Sequence, residues 1–476
     1  MLDVIIIGAG VSGAFIARKL ARYQLNVALL ERESDVGNVT SNANSAIVHS
    51  GYDPVPGTLK ALLNVRGNKM YDLIADELDV HFNRCGSLTI AIDDEQMKTL
   101  YELEKRSQEN GVPVSILSSD EVKKMEPNVN PNVKGALFAS TAGVIDPFNL
   151  VVHCVENAVD NGVSLHLNEE VIDVVDEGEY FVVKTSKNEY QSRVVINASG
   201  LYSDKIASMV EDVDWNLIPR KGEYFVLDHY DVGLVNHTLF PLPTAKGKGV
   251  LVSLTSSNNY IVGPSSEPID DVEDFSTDSL TLGEIRRQAT ELVPSIPFNQ
   301  VIRVFSGIRP TSTRHDFIIE PAKSNKRFIN VAGIESPGLV SAPAIAEYVF
   351  ENYISNLFEL KEKKDFNPRV KRYNRLNEMS VEERNKLVKE NPEYGKIVCS
   401  CEKVSLGEIK ELLSRSVPPT TVKGVKRRCR AGFGKCQGGF CSPIVALTLA
   451  KHYNVSPLDI KWDKEQSNIL KEEVKK

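Results

Sequence analysis

The chain opens on an unbroken β-branched run, Val4-Ile5-Ile6-Ile7, that stops at Gly8-Ala9-Gly10-Val11-Ser12-Gly13. A continuous apolar run bounded by glycine predicts a buried strand, and the apolar spacing of AFIARKLARY after it predicts a helix. A second strand, NVALLERE, ends in the acidic Glu31. Over roughly 78–140 and 215–310 the pattern becomes alternating, in GSLTIAID, KGEYFVLD, KGVLVSLT and NYIVGPS, and predicts strands parted by turn residues. Between these blocks DPFNLVVHCVENAVDNG predicts a helix, with Asp146 as N-cap and Pro147 at its first position. RFINVAGIESPGLVSAPAIAEYVFENYI then gives a strand, a glycine-containing loop and an amphipathic helix.

Core residues thin out over 358–392, a charge-rich stretch expected to be a linker over the preceding domain, with SVEE capping a short helix. CSCEKVSLGEIKELLSRS resumes the helical pattern, with a capping box from Ser405 and Glu408 and a hydrophobic staple from Val404 and Ile409. A second helix starts near Pro443. A chain of 476 residues exceeds one typical core. The expected organisation is a large unit over 1–357, the linker, a small helical unit over 393–460 and a tail over 461–476.

Gly8, Gly10 and Gly13 match the dinucleotide fingerprint between strand and helix: a tight turn, close approach of the backbone to a pyrophosphate, and close helix–strand packing. Val11 and Ser12 open the helix, whose free N–H groups and dipole suit phosphate. Glu31, at the end of the second strand, would accept from the adenosine ribose hydroxyls. The fingerprint alone does not choose between FAD and NAD. Gly432 and Gly434 follow no strand, so the chain shows no second good fingerprint.

The net charge of −8 argues against a global nucleic-acid footprint. No apolar run reaches the length of a membrane span. The first apolar run leads straight into a glycine turn, which reads as a strand and not as a signal peptide. A cytoplasmic protein is expected. Five of the seven cysteines lie between 399 and 441, and clustering in that context favours metal ligation over disulfides. Cys85 and Cys154 read as isolated small hydrophobes.

Three stretches carry a family resemblance: GNVTSNANSAIVHSGYDPVPGTLKALLNVRGN (37–68), VVINASGLYSDKIA (194–207) and the run from FSGIRPTSTRHDFIIEP to FINVAGIESPGLVSAPAIA (305–346). Together they resemble the FAD-dependent oxidoreductases of the D-amino-acid oxidase and glycerol-3-phosphate dehydrogenase superfamily. The first is most similar to L-2-hydroxyglutarate dehydrogenases. The resemblance covers nearly all of 1–350. It implies an α/β fold: a Rossmann-type FAD domain with an inserted, mostly antiparallel α+β substrate domain. It implies flavin contacts from Thr40, Ser41, Asn44, Ser45, Val171, Ala198, Gly200, Gly307, Gly333, Gly338 and Leu339. A helix N-terminus near Gly338 and Leu339 would face the pyrimidine end of the ring.

Arg309 matches the position where superfamily members present an arginine to a substrate carboxylate or phosphate; a structural ion pair is the alternative. His49 suits base work in the flavin-proximal loop, or packs and hydrogen-bonds the flavin; it is also the one residue suspected of covalent attachment. Lys248 and Tyr260 fall where substrate-domain strands could face the ring. His237, His315 and Arg303 read more readily as surface residues.

The C-terminal pattern is C-x-C, a helix, a glycine-rich basic segment and a second cysteine pair. It resembles the [2Fe-2S] domain of bacterioferritin-associated ferredoxin and the C-terminal domain of some anaerobic glycerol-3-phosphate dehydrogenases. The resemblance implies Cys399, Cys401, Cys436 and Cys441 as ligands and leaves Cys429 over, although Cys429 could stand in for Cys436, and zinc or a disulfide is the rival. Lys426, Arg427, Arg428, Arg430 and Lys435 would offset the charge of the cluster, form a solvated loop or dock an acidic partner.

The expected function is an FAD-dependent dehydrogenase of a small anionic hydroxy compound, sn-glycerol 3-phosphate first and an L-2-hydroxy acid such as L-2-hydroxyglutarate second. Electrons would leave singly through the cluster to a partner flavoprotein, an iron–sulfur subunit or a quinone, with membrane association only through a partner. An amino- or imino-acid dehydrogenase, an electron-transfer subunit active only in a complex, and a redox sensor are the remaining readings.

Overall fold

The structure, a computed structural model, describes residues 1–229, 233–243 and 249–472. The opening strand, Leu2–Ile7, lies at the centre of the first sheet. It pairs in parallel with Val27–Leu30 on one side and Glu189–Asn197 on the other. Ser164–His166 and Phe328–Ala332 extend the parallel core outward. Helices Val11–Leu20, Pro147–Asp160 and Gly338–Asn352 pack into one apolar core with this sheet. Gly13 lies so close to the strand that a Cβ there would sit 2.0 Å from the Gly8 carbonyl oxygen, which is why the helix can start at the turn.

The second sheet collects Ser87–Ala91, Ser115–Ser118 and Gly135–Ala139 with Leu217–Leu227, Thr238–Phe240, Leu251–Leu254, Tyr260–Gly263, Glu267–Pro268 and Val301–Ser312. Its pairings are antiparallel except for Thr238–Phe240 against Ser87–Ala91. The longest ladder joins Leu217–Leu227 to Val301–Ser312 and sets Arg220 opposite Arg309. Asp146 caps the helix Pro147–Asp160 by accepting from Phe148 and Asn149 N–H.

Helices Leu406–Leu412, Val422–Cys429 and Ser442–Tyr453 enclose a separate small core. Ser405 and Glu408 form the capping box at the first of them, and Ser380 with Glu383 forms another at Val381–Glu390. The charged stretch before this unit is less of a linker than its composition suggests. Gln24 N–H donates to the Lys361 carbonyl and Val370 N–H to that of Glu77, pinning the stretch to the flavin-type domain. Tyr373 is then buried in the C-terminal core, its hydroxyl on the Arg428 carbonyl at 2.8 Å.

The small unit is seated by charge. Arg428, 1% exposed, forks onto both oxygens of Asp35 at 2.7 and 2.8 Å, and Arg427 adds a third bond at 3.0 Å. Burial alone would push the Asp35 carboxyl up; the two guanidiniums outweigh it and hold it well below the usual carboxylate range. Arg415 pairs with buried Glu156 at 2.6 Å, and Phe433 packs on Phe148 with ring centres 5.3 Å apart.

A depressed folded pKa contributes stability above the unfolded carboxylate value that is lost only as pH falls through the folded value. The seat should therefore survive mild acid. Asp35→Ala should fail at every pH, because it strands two buried guanidiniums at a cost of about 3–5 kcal/mol. Thermal unfolding at pH 5 and pH 7 checks this: the wild type should change little between them, and the variant should melt well below it at both.

Candidate active site and thiol cluster

A cavity of about 1340 Å³ runs between the two sheets, from Gly10, Val11 and Ser12 to Gly338 and Leu339. Two helices therefore point their N-termini into one space. Neither has a side-chain cap at its N-cap residue, Gly10 or Pro337; the first N–H of each is taken locally, Val11 by Ser41 Oγ and Gly338 by the Glu335 carbonyl, and the positive end of each helix dipole faces the space. Ser41 Oγ accepts from Val11 N–H at 2.9 Å, and Thr40 Oγ1 donates to the Ile308 carbonyl at 2.8 Å. Asn44 braces this loop by donating to the Thr40 and Ser41 carbonyls and accepting from Ala46 N–H. Thr40, Ser41, Asn44, Ser45, Ala198 and Gly200 line the cavity. Gly307 allows the same loop to close on the second sheet, since a Cβ there would lie 1.9 Å from the Ala43 carbonyl oxygen.

Glu31 stands beside the glycine turn, accepting from Ala9 N–H at 2.8 Å and Glu33 N–H at 2.9 Å. Burial raises its pKa. Val171 begins a strand beside Phe181–Thr185, and Gly333 turns at φ +65 against Ser312; neither is on the cavity wall. The uncapped helix ends, the close-packed glycines and the elongated cavity between them fit a flavin dinucleotide.

Arg309 lines the substrate half of the cavity, and so does Arg220, which sequence reasoning missed. Arg220 Nε donates to Ser266 Oγ at 3.0 Å and Arg309 Nη1 to the same oxygen at 3.2 Å. Arg220 also donates to the Ser266 carbonyl and Arg309 to that of Ser265. Among the described residues these guanidinium bonds all go to neutral oxygens. Two adjacent cations converging on one hydroxyl repel each other, and a dianion placed between them would relieve that repulsion. His49 lines the cavity with its ring 5.8 Å from that of Phe240.

Tyr260 does not face this space. Its hydroxyl accepts from Gly233 and Leu234 N–H at 3.1 Å, on the opposite face of its strand, and the next residue, Ile261, packs with Phe240 and Tyr224 on the cavity side. A one-residue step in a strand reverses the face. Lys248 lies outside the described residues. His237 is bound to buried Glu126 at 2.6 Å, and Arg303 donates to Gln437; His315 reaches the cavity rim.

The C-terminal thiols fall into two pairs. Cys401 and Cys436 sulfurs are 3.8 Å apart. Cys399 and Cys441 also interact, and that contact, with help from Gly432 N–H against burial, lowers the Cys399 thiol to about 6. Burial raises Cys436, but backbone N–H groups of Gly438 and Phe440 outweigh it. Gly434 packs so tightly that a Cβ would lie 2.3 Å from that of Cys401. Two close pairs of thiols, one of each pair lowered and its partner raised by the sulfur beside it, with glycine N–H groups turned toward sulfur, suit a binuclear cluster. Among the described residues no three His, Cys, Asp or Glu groups converge on one ion. Cys429 is set apart: it is buried in the helical core, its sulfur on the Val425 carbonyl, and burial pushes its thiol up to about 12.

The basic run does not form a solvated face. Arg427 and Arg428 serve Asp35, and Arg430 pairs with Glu402 at 2.8 Å and Asn259 at 2.9 Å. Lys426 is buried over the Phe433 ring and pushed down to about 7, first by burial and then by Arg303 and Lys423. Only Lys435 is exposed.

A model of FAD-dependent oxidoreductases matches residues 3–352, and a model of BFD-like [2Fe-2S] binding domains matches 397–451. A glycerol 3-phosphate dehydrogenase of Caloramator mitchellensis is 47% identical over 471 residues, covering 99% of this chain and 98% of that protein. An L-2-hydroxyglutarate dehydrogenase of Escherichia coli (strain K12) is 28% identical over 272 residues, covering 56% of this chain and 64% of that protein. Among solved structures, dithionite-reduced L-alpha-glycerophosphate oxidase from Mycoplasma pneumoniae, with FAD bound, superposes with a TM-score of 0.74 at 29% identity, covering 78% of this chain and 98% of that one.

The geometry sorts the five cysteines. Cys401→Ser should abolish iron binding, whereas Cys429→Ser should keep the wild-type iron and sulfide content and lose only thermal stability. Iron and acid-labile sulfide assays on anaerobic protein check both.

Proposed function

Because this chain belongs to the FAD-dependent oxidoreductase family and carries FAD and a [2Fe-2S] cluster, we propose that it is a dehydrogenase of sn-glycerol 3-phosphate. The observation that supports this substrate is the convergence of Arg220 and Arg309 on Ser266. Two guanidiniums at one point suit a single compact dianion, such as a phosphate monoester, better than two carboxylates at opposite ends of a diacid.

When bound, FAD accepts a hydride and the cluster relays electrons one at a time. The protein's own tasks are then separable. Arg220 and Arg309 hold the phosphate and so fix the reach of the glycerol carbons. His49 takes the proton of the secondary hydroxyl at a ring nitrogen. The helix that starts at Gly338 would turn its positive end toward the flavin and favour negative charge on it. The loop 40–45 and Gly10 would hold the dinucleotide.

The C-terminal unit gives the electrons a way out. It is seated on the flavin-type domain through Asp35 and on the substrate sheet through Arg430 and Asn259, so the cysteines that would hold the cluster are tied to both walls of the cavity. No helix among the described residues is long and apolar enough to cross a membrane. We place the enzyme in the reducing cytoplasm, where its cysteines stay unpaired and a protein partner receives the electrons.

The first test is anaerobic absorbance of the holoenzyme with each candidate. Glycerol 3-phosphate should bleach the flavin bands and L-2-hydroxyglutarate should not; the reverse overturns the substrate assignment. Arg220→Met and Arg309→Met should each raise KM for glycerol 3-phosphate by about 10–100-fold, the loss of one charge-assisted contact. His49→Asn should lower kcat and leave KM nearly unchanged, and steady-state kinetics with a dye acceptor separates the two effects.

A further inference from the structure

Helix Ser442–Tyr453 shows one bare face. Ile444 and Leu447 stand on it one turn apart, 44% and 58% exposed, although their neighbours Val445, Ala446 and Leu449 are buried, and Phe440, in the turn just before the helix, is 83% exposed. The face starts at the loop that carries Cys436 and Cys441, beside the exposed Cys401. It ends at Lys451. Lys451, at its far end, and Lys396, next in sequence to the 51% exposed Ile397, both act on the Glu393 carboxylate. The rim is cationic: Lys396, Lys403, Lys435 and Lys451 are exposed. Two carboxylates of this unit are already engaged, Glu393 with Lys410 and Glu402 with Arg430 and His229. An apolar centre with a rim of net positive charge, next to the outermost thiols, is the anatomy of a transient protein interface.

We propose that this face, Ile397, Phe440, Ile444 and Leu447 within its lysine rim, docks an acidic one-electron acceptor protein. The inference rests on the electron-exit role given to the C-terminal unit above. Each encounter transfers one electron outward, and two encounters clear one substrate oxidation; no bond forms and no proton crosses the interface. The charge of the rim selects the partner: a protein with an acidic surface around its own redox centre is steered in, and a basic one is repelled.

The test uses the intact holoenzyme and two small haem proteins as probes, the acidic soluble domain of cytochrome b5 and basic cytochrome c. At low ionic strength cytochrome b5 should be reduced faster, although cytochrome c is the stronger oxidant. Added salt should slow the first and speed the second. The double variant K396E/K451E should weaken binding of oxidised cytochrome b5 about tenfold by calorimetry, and L447Q should do so without changing the salt dependence. Both variants should reduce a small neutral dye with glycerol 3-phosphate at the wild-type rate. If no dye is reduced, the substrate assignment has failed. Docking is then read from calorimetry and from photochemically reduced enzyme, which need no substrate. Preference for cytochrome c at low salt, or binding indifferent to both variants, overturns the proposal. So does a change of oligomeric state in L447Q, which would give the face to a second copy of the chain. Lysine-dependent sedimentation with phosphatidylglycerol vesicles would give it to a membrane surface.

Discussion

Arg428 is the largest fully buried side chain among the described residues, and it is a cation. It can be there only because Asp35 meets both of its terminal nitrogens, Nη1 and Nη2, with Arg427 alongside. This pair joins the two ends of the chain. Asp35 lies a few residues past Glu31, which itself follows the strand Val27–Leu30, and precedes the loop of Thr40 and Ser41; Arg428 precedes the cysteine-bearing loop by a few residues. One electrostatic contact thus fixes the nucleotide loop and the thiol cluster relative to each other. The Arg427 guanidinium also reaches Asn38, at the base of the same loop. Interior ion pairs contribute little net stability. Here the pair sets position, and a fixed separation between two redox centres is what electron transfer requires.

The same logic of shared walls governs the substrate half. The cavity belongs to neither sheet alone: the first supplies two helix N-termini, and the second supplies Arg220, Arg309 and Tyr224. Gly307 allows the loop 40–45 to touch the long ladder, so the flavin loop and the arginine pair are set by one contact. The anion end and the ring end of the site are therefore held at a constant span.

Much of this was legible locally. The glycine turn, the N-cap Asp146, the capping boxes at Ser380 and Ser405 and the helix that starts at Gly338 all depend on residues within a few positions of one another. Arg309 could be singled out because its motif is contiguous. Arg220 could not: its place depends on a register between strands far apart in sequence, and only the RKGEY segment ahead of an alternating run hinted at it. Tyr260 illustrates the parity problem, because alternation shows that two faces differ and not which one meets the cavity. Of the roles open to the basic run, the structure removes the solvated loop, for a related reason. A string of Lys and Arg looks solvated until its buried carboxylate is found, and Asp35 sits in a stretch with no motif of its own.

The buried pair also bears on how such a chain can be assembled from parts. Transplanted to a flavoprotein without a carboxylate at the position of Asp35, the small unit would bring two guanidiniums to a surface that cannot receive them. Stripped of that unit, the flavin-type domain would expose Asp35 and the apolar wall around Phe148. The two folds are separable on paper, each with its own core, yet neither end is finished without the other. Fusion in this chain is thus closer to a lock than to a tether.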